Sequence, residues 1–261
     1  MKAFSIAIVA TLLAFSAPLY AQGENMQDII QKAAPALGKY TDESLLGDVW
    51  KRPGLSPRDR SIVTLAALVA RNQTIELPHY LALALDSGVK PAEISELITH
   101  LAFYSGWSNA VAAAAAAKDV FTARKIAADQ LPPASPKLLP LDEAAEADRA
   151  SRVGGQFGAA FPGVVRNTTD MLFKDLWLRP DLAPRDRSLV TVSALIATGQ
   201  AAQMPYHLNR AMDNGLTQAE AAEVLAHLAF YTGWPFVFSA MPAAKDVFDK
   251  RPAGNRDKEL L

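Results

Sequence analysis

Four histidines, at positions 79, 100, 207 and 227, are the side chains of this sequence best suited to moving protons near neutral pH. Two of them open copies of one motif. His227-Leu-Ala-Phe-Tyr-Thr-Gly-Trp-Pro235 repeats His100-Leu-Ala-Phe-Tyr-Ser-Gly-Trp-Ser108. Read as helix, His227, Phe230, Tyr231 and Trp234 fall at i, i+3, i+4 and i+7 and share one face, as do His100, Phe103, Tyr104 and Trp107. A histidine, a phenol and an indole on one stripe can line a pocket with polar handles. The same spacing also describes an aromatic core stripe with a hydrogen-bonded histidine, the commoner use of such patterns. Cysteine is absent, which excludes disulfides, thiolate nucleophiles, redox pairs and cysteine-based zinc sites. No histidine pair has i, i+4 ligand spacing, so a metal site is not expected.

Helices must position these residues. In Leu55-Ser-Pro-Arg-Asp-Arg-Ser, Ser56 is an N-cap, Pro57 sits at N1 and Asp59 favours the helix start electrostatically. That helix is expected to run to about Ala70. Arg58 and Arg60 could bind an anion or be solvated, so Arg→Gln changes there should be tolerated better than changes at Pro57 or Gly88. Shorter helices are expected over residues 24–38 and 41–53, the latter halted by Pro53. A further helix covers residues 77–87, and Lys90-Pro-Ala-Glu opens the one that carries His100 before Gly106 breaks it. Four prolines in residues 131–140 mark a linker, followed by a charged helix over about 141–152 that leads to Gly154-Gly155.

The pattern then restarts. Leu55 maps to Leu182, and the same offset carries Pro35 to Pro162, Trp50 to Trp177, Glu93 to Glu220, Glu96 to Glu223 and His100 to His227. No β-alternation or hairpin signal occurs. The fold class is therefore all-α, two tandem helical domains forming an intrachain pseudo-dimer. The expected boundaries are a first repeat over 22–130, the linker over 131–140 and a second repeat over 141–261. The copies differ at one point of chemical interest. The first reads Leu77-Pro-His79-Tyr80-Leu81 and the second Met204-Pro-Tyr206-His207-Leu208. The swap turns the two histidines about 100° apart around their helices.

Half of the 261 residues are hydrophobic and the net charge is −1, so a sizeable core is expected and a general nucleic-acid binder is not. Lys2, the apolar run from Ala3 to Ala17 and Ala21 read as a signal peptide over residues 1–21. Export to a bacterial periplasm is expected, with no membrane span in the mature form.

The Leu-x-Pro-Arg-Asp-Arg-Ser-x-Val-Thr start, the Tyr-His-Leu-x-x-Ala-Met-x-x-Gly segment and the His-Leu-Ala-Phe-Tyr-x-Gly-Trp segment resemble the carboxymuconolactone decarboxylase family, of the alkylhydroperoxidase D-like fold. The resemblance covers both repeats. It implies compact helical domains that oligomerise, here as a trimer of two-repeat chains. It also offers two chemistries. The peroxidase branch uses a Cys-x-x-Cys-x-x-x-His motif with an upstream glutamate. With His207 as that histidine, the cysteine positions hold Gln200 and Gln203 and the glutamate position Ser188. In repeat one the corresponding residues are Gln73, Glu76, Ser61 and Tyr80. A chain without cysteine cannot perform thiol peroxidation.

The decarboxylase branch keeps the histidine and removes CO₂ from a carboxylated unsaturated lactone without a cofactor. The electrons released must enter the lactone carbonyl and then be quenched by a proton on carbon. That requires a general acid, a donor to the developing oxyanion and a cation for the carboxylate. The resemblance makes His207 the candidate acid/base and His227 and Tyr231 candidate donors. Arg185, Arg187 or Arg210 would seat the carboxylate, and Trp234 would supply an apolar wall. Each also has a plain structural reading as a core or surface residue. The family's pathway enzyme is usually a single-repeat, cytosolic chain, so an exported two-repeat chain points to a different substrate. A non-catalytic scaffold that binds a small ligand or another exported protein is the rival reading.

Overall fold

The computed structural model describes residues 26–251, so the expected signal peptide lies outside the described residues. These residues form twelve α-helices and no strand. In repeat one they are α1 (Met26–Ala33), α2 (Pro35–Tyr40), α3 (Pro57–Ala70), α4 (Leu77–Asp86), α5 (Pro91–Ser105) and α6 (Trp107–Ala123). A segment between the repeats carries α7 (Glu143–Phe157). Repeat two follows with α8 (Pro162–Asn167), α9 (Pro184–Ala197), α10 (Met204–Asp213), α11 (Gln218–Thr232) and α12 (Trp234–Lys250).

Where a helix over residues 41–53 is expected, the chain makes a π turn at Thr41–Leu45 and a 3-10 turn at Val49–Lys51. Repeat two does the same at Thr168–Phe173 and Leu176–Leu178. These tight turns carry Trp50 and Trp177. The charged inter-repeat helix runs through Gly154 and Gly155 rather than ending before them. The proline-rich segment is anchored to repeat two, since Leu139 N–H donates to Leu178 O at 2.7 Å and Arg179 donates to the carbonyls of Pro133 and Ala134.

Helices α3 and α9 cross at the centre and are buried from their third residue to their last. Their first turns bury paired charges and hydroxyls, and the rest is mostly apolar, each fully buried Leu or Ile contributing about 2 kcal/mol. Around this pair the repeats exchange partners. Besides packing within its own repeat, α5 packs on α9 and α11 packs on α3. Gly106 and Gly233, at φ +100° and +89°, turn the chain from α5 into α6 and from α11 into α12 with no intervening loop. Only glycine adopts that backbone without strain.

Two expectations about the arginines are corrected here. Ser56 does cap α3, its side chain accepting from Asp59 N–H at 3.0 Å. Arg60, however, is fully buried. It donates to Glu223 at 2.9 Å and to Arg52 O at 2.8 Å. Its counterpart Arg187, also fully buried, donates to Glu96 and to Arg179 O, both at 2.9 Å. Arg58 and Arg185 are not solvated either. Arg58 bonds Asp186 and Glu93 at 2.7 Å, while Arg185 bonds Asp59 and Glu220 at 3.0 Å. The Pro-Arg-Asp-Arg sequence is thus the ionic seam between the repeats. Spacing on one helix could not reveal this, because the glutamates and the cross-repeat aspartates that pair these arginines lie on other helices.

Candidate active site

The crossed packing gives each cavity residues from both repeats. On α5, His100 is fully buried. Its Nε2 lies 2.7 Å from the Thr191 hydroxyl and its Nδ1 3.4 Å from an Arg187 guanidinium nitrogen. On α11, His227 makes the mirror pair, with Thr64 at 2.8 Å and Arg60 at 3.3 Å. A guanidinium can only donate, so Nδ1 accepts and Nε2 carries the hydrogen in both rings. The Thr191 hydroxyl in turn donates to Arg187 O at 2.9 Å, consistent with its accepting from His100. Burial first, and the neighbouring arginine second, hold both imidazoles neutral: His100 titrates well below its ordinary range and His227 at about 3. Neither ring has a nitrogen left for a substrate.

Above each buried histidine sits a tyrosine one turn on, and above that the two halves diverge. In the half built on α11, Trp50 Nε1 donates to Tyr231 Oη at 2.8 Å, and that hydroxyl donates to Tyr80 Oη at 3.0 Å. Tyr80, itself buried, stacks on Trp50 and fills the place that His207 takes in the other half, which makes this the closed half. In the half built on α5, Trp177 Nε1 donates to Tyr104 Oη at 2.9 Å. The counterpart of Tyr80 here is His207, which makes no hydrogen bond to Tyr104. The Tyr104 hydroxyl therefore keeps its own proton available to a ligand. Burial, its largest influence, pushes its pKa up, so it stays a donor.

His207 lies parallel to the Trp177 ring, with centroids 5.9 Å apart, and edge-on to Tyr104 at 5.3 Å. Trp177 stacks in turn on Phe173 at 6.1 Å. Arg210 lies over Trp177 at 4.3 Å and has no hydrogen bond or ion pair among the described residues. Burial, and then Arg210, lower the pKa of His207 to about 4. A cavity of about 400 Å³ opens here, with Tyr104, Phe173, Gln203, Tyr206 and His207 in its wall. Next to it, a second cavity of about 390 Å³ is lined by Arg210 and Trp177. His207 Nδ1 and Arg210 Nε are buried with no partner. In the closed half, Leu83 stands where Arg210 would be.

The structure therefore brings together only part of the candidate set. His207 and Arg210 share one region. His227 and Tyr231 serve the closed half, and their counterparts His100 and Tyr104 serve the open one. Arg185 is engaged with Asp59, Asp186 and Glu220 in the ionic seam. Arg187 is buried beneath His100 and orients it. Trp234, 52% exposed, packs edge-on against Phe230 and lines a separate apolar groove between α11 and α12. Tyr104, Trp177 and Phe173 are the residues that reading each repeat by itself misses. The signal was in the repeat alignment, where Trp177 and Tyr104 each have a counterpart, but not in which copy pairs with which.

The sequence pattern of the carboxymuconolactone decarboxylase family matches residues 35–119 and again residues 162–246. A 4-carboxymuconolactone decarboxylase from Acinetobacter baylyi is 38% identical over 74 residues, 28% of this chain and 55% of that protein. Nitrosuccinic acid decarboxylase from Metarhizium robertsii is 36% identical over 67 residues, 26% of this chain and 47% of that protein. The chain spans about half the length of these curated relatives. Two matches in tandem, each centred on one copy of the helical unit described above, establish that the chain belongs to the carboxymuconolactone decarboxylase family.

Proposed function

We propose that this protein is a cofactor-free decarboxylase of a small carboxylated compound, with its working site at His207 in the open half. The observation that carries this reading is that His207 and the Tyr104 hydroxyl in one cavity, and the unpaired Arg210 in the other, lie on two adjoining cavities that share Phe173 and Tyr206. Two relatives whose names are those of decarboxylases support the reaction class, and their different substrates leave this chain's substrate open. Thiol peroxidation is excluded by the absence of cysteine.

Arg210 holds the substrate carboxylate against the Trp177 face. As the C–CO₂ bond breaks, its electron pair moves into a conjugated carbonyl of the substrate, and Tyr104 donates to the oxygen that becomes negative. The substrate itself is the electron sink, so no cofactor is needed. Before substrate binds, burial and Arg210 keep His207 neutral at pH 7. A bound anion raises its pKa and brings a proton onto it, and that proton passes to the carbanionic carbon. The balance is one carboxylate and one proton in, one C–H bond and CO₂ out.

Ultraviolet turnover of 4-carboxymuconolactone by the wild type, set beside His207→Ala, is the first test. Turnover lost in the variant supports the reading. Equal turnover in both removes His207 from the mechanism. No turnover in either moves the weight to another carboxylated substrate or to a ligand-binding scaffold. We also propose export, with residues 1–21 removed, and assembly into a trimer. N-terminal sequencing of secreted protein and light scattering would check these.

A further inference from the structure

Besides Phe173 and Tyr206 of repeat two, the two cavities beside His207 and Arg210 share a stretch of wall that neither repeat supplies. It comes from α7, between the segments that match the family pattern. Arg149 of α7 lines both cavities, and its side chain is only 5% exposed. Its Nε and Nη2 donate to the two oxygens of Glu146 at 2.7 Å, and Nη2 also reaches Thr169 at 3.0 Å. Its Nη1 is buried with no partner. The guanidinium carbon sits 4.2 Å from the centroid of Phe173, the same ring that lies 5.6 Å from Arg210. The two guanidinium carbons are therefore no farther apart than the sum of those distances, within the span of a small molecule bearing two carboxylates.

Resting on the proposed site, we infer that Arg149 is a specificity-determining residue: it seats a second anionic group of the substrate, while Arg210 seats the carboxylate that leaves. Desolvating a guanidinium and leaving one nitrogen unpaired costs free energy that an anionic ligand restores. Glu146 and Thr169 fix the guanidinium plane, leaving the Nη1 hydrogens for the ligand. A helix outside both repeats thereby decides which carboxylates the cavity accepts.

Calorimetric binding of succinate, a dianion, and butyrate, a monoanion, to the whole protein tests this. In the wild type succinate should bind at least tenfold more tightly than butyrate. Arg149→Gln should weaken succinate about tenfold, the usual size of one charge-assisted hydrogen bond, and change butyrate less than twofold. Glu146→Gln separates anchoring from helix packing. If Arg149 anchors an anion, removing its counter-charge preserves or tightens succinate binding. If Arg149 only pins α7, Glu146→Gln and Arg149→Gln weaken binding alike, which overturns the inference. Absence of a preference for succinate in the wild type, or no binding of either probe, also overturns it. Should decarboxylation itself fail, the succinate preference and its loss in Arg149→Gln would remain. Should this inference fail, turnover would remain and still depend on His207.

Discussion

At the scale of single residues, the difference between the open and closed halves is one exchanged pair. Tyr80 completes the hydrogen-bond chain from Trp50 through Tyr231, whereas His207 leaves the Tyr104 hydroxyl with a proton to give. This crossing yields an unequal pair of variants. Tyr104→Phe should lower kcat on the order of a hundredfold, the cost of one oxyanion donor, with KM little changed. Tyr231→Phe should leave kcat within twofold, because its hydroxyl faces Tyr80. Steady-state kinetics of both variants on any turned-over substrate would check this, and equal losses would remove Tyr104 from its role. The pH profile follows from His207. Its pKa of about 4 must rise when an anion binds, so kcat should fall with an apparent pKa well above that value as pH increases. Whatever residual rate His207→Gln retains should lack this limb.

At the scale of elements, α3 and α9 share a sequence but not a cap. Ser56 accepts from Asp59 N–H, while Ala183 at the same position of α9 has no side-chain cap. Ser56→Ala should cost about 1 kcal/mol, and Ala183→Ser should add a similar amount. Urea unfolding of the two variants would show opposite shifts in midpoint. Deeper along these helices, Arg60→Gln removes the counter-charge of Glu223, whereas Arg187→Gln leaves Glu96 still paired with Arg179. Arg60→Gln should destabilise by about 3 kcal/mol and Arg187→Gln by less, whereas Arg152→Gln on exposed α7 surface should change stability by less than about 0.5 kcal/mol.

At the scale of the whole molecule, each half is built across the repeats. Repeat two together with α7, residues 141–261, lacks His100 and Tyr104 and should be inactive. Mixing it with separately made residues 22–140 should restore turnover if the two associate, and activity in the isolated second repeat would contradict the crossed site. The three buried neutral histidines also set an acid limit. Their folded pKa values lie below the unfolded one, so between pH 6.5 and about 4 the unfolded chain binds protons that the folded chain refuses. Stability should therefore fall as pH drops through that window, by up to ~1.4 kcal/mol per pH unit for each histidine. Thermal melts from pH 7 to pH 4.5 would trace the slope, and His207→Gln should flatten it. On the outer surface, Trp234, Phe238 and Met241 remain exposed on α12, and Trp107 and Val111 in the equivalent place on α6. Trp234→Asp with Phe238→Asp should lower the mass measured by light scattering if these faces join chains.

Much was legible from local pattern. Helix starts at Ser56-Pro57 and Lys90-Pro91, the breaks at Gly106 and Gly233, the all-helical class and the duplication depend on neighbours within a few residues or on self-similarity, and both are written along the chain. The exchange of histidine and tyrosine at 79–80 and 206–207 marked the place where the copies part. Pairing across the repeats was not legible. Once α3 and α9 cross, α5 reaches α9 and α11 reaches α3, so His227 and Tyr231 belong to the half that Tyr80 closes, and His100 and Tyr104 to the one His207 opens. Two nearly identical copies can pack with themselves or with each other using the same residues. Only the tertiary structure distinguishes these arrangements, and it also turns arginines that look like solvent-facing charges into the buried partners of Glu96 and Glu223.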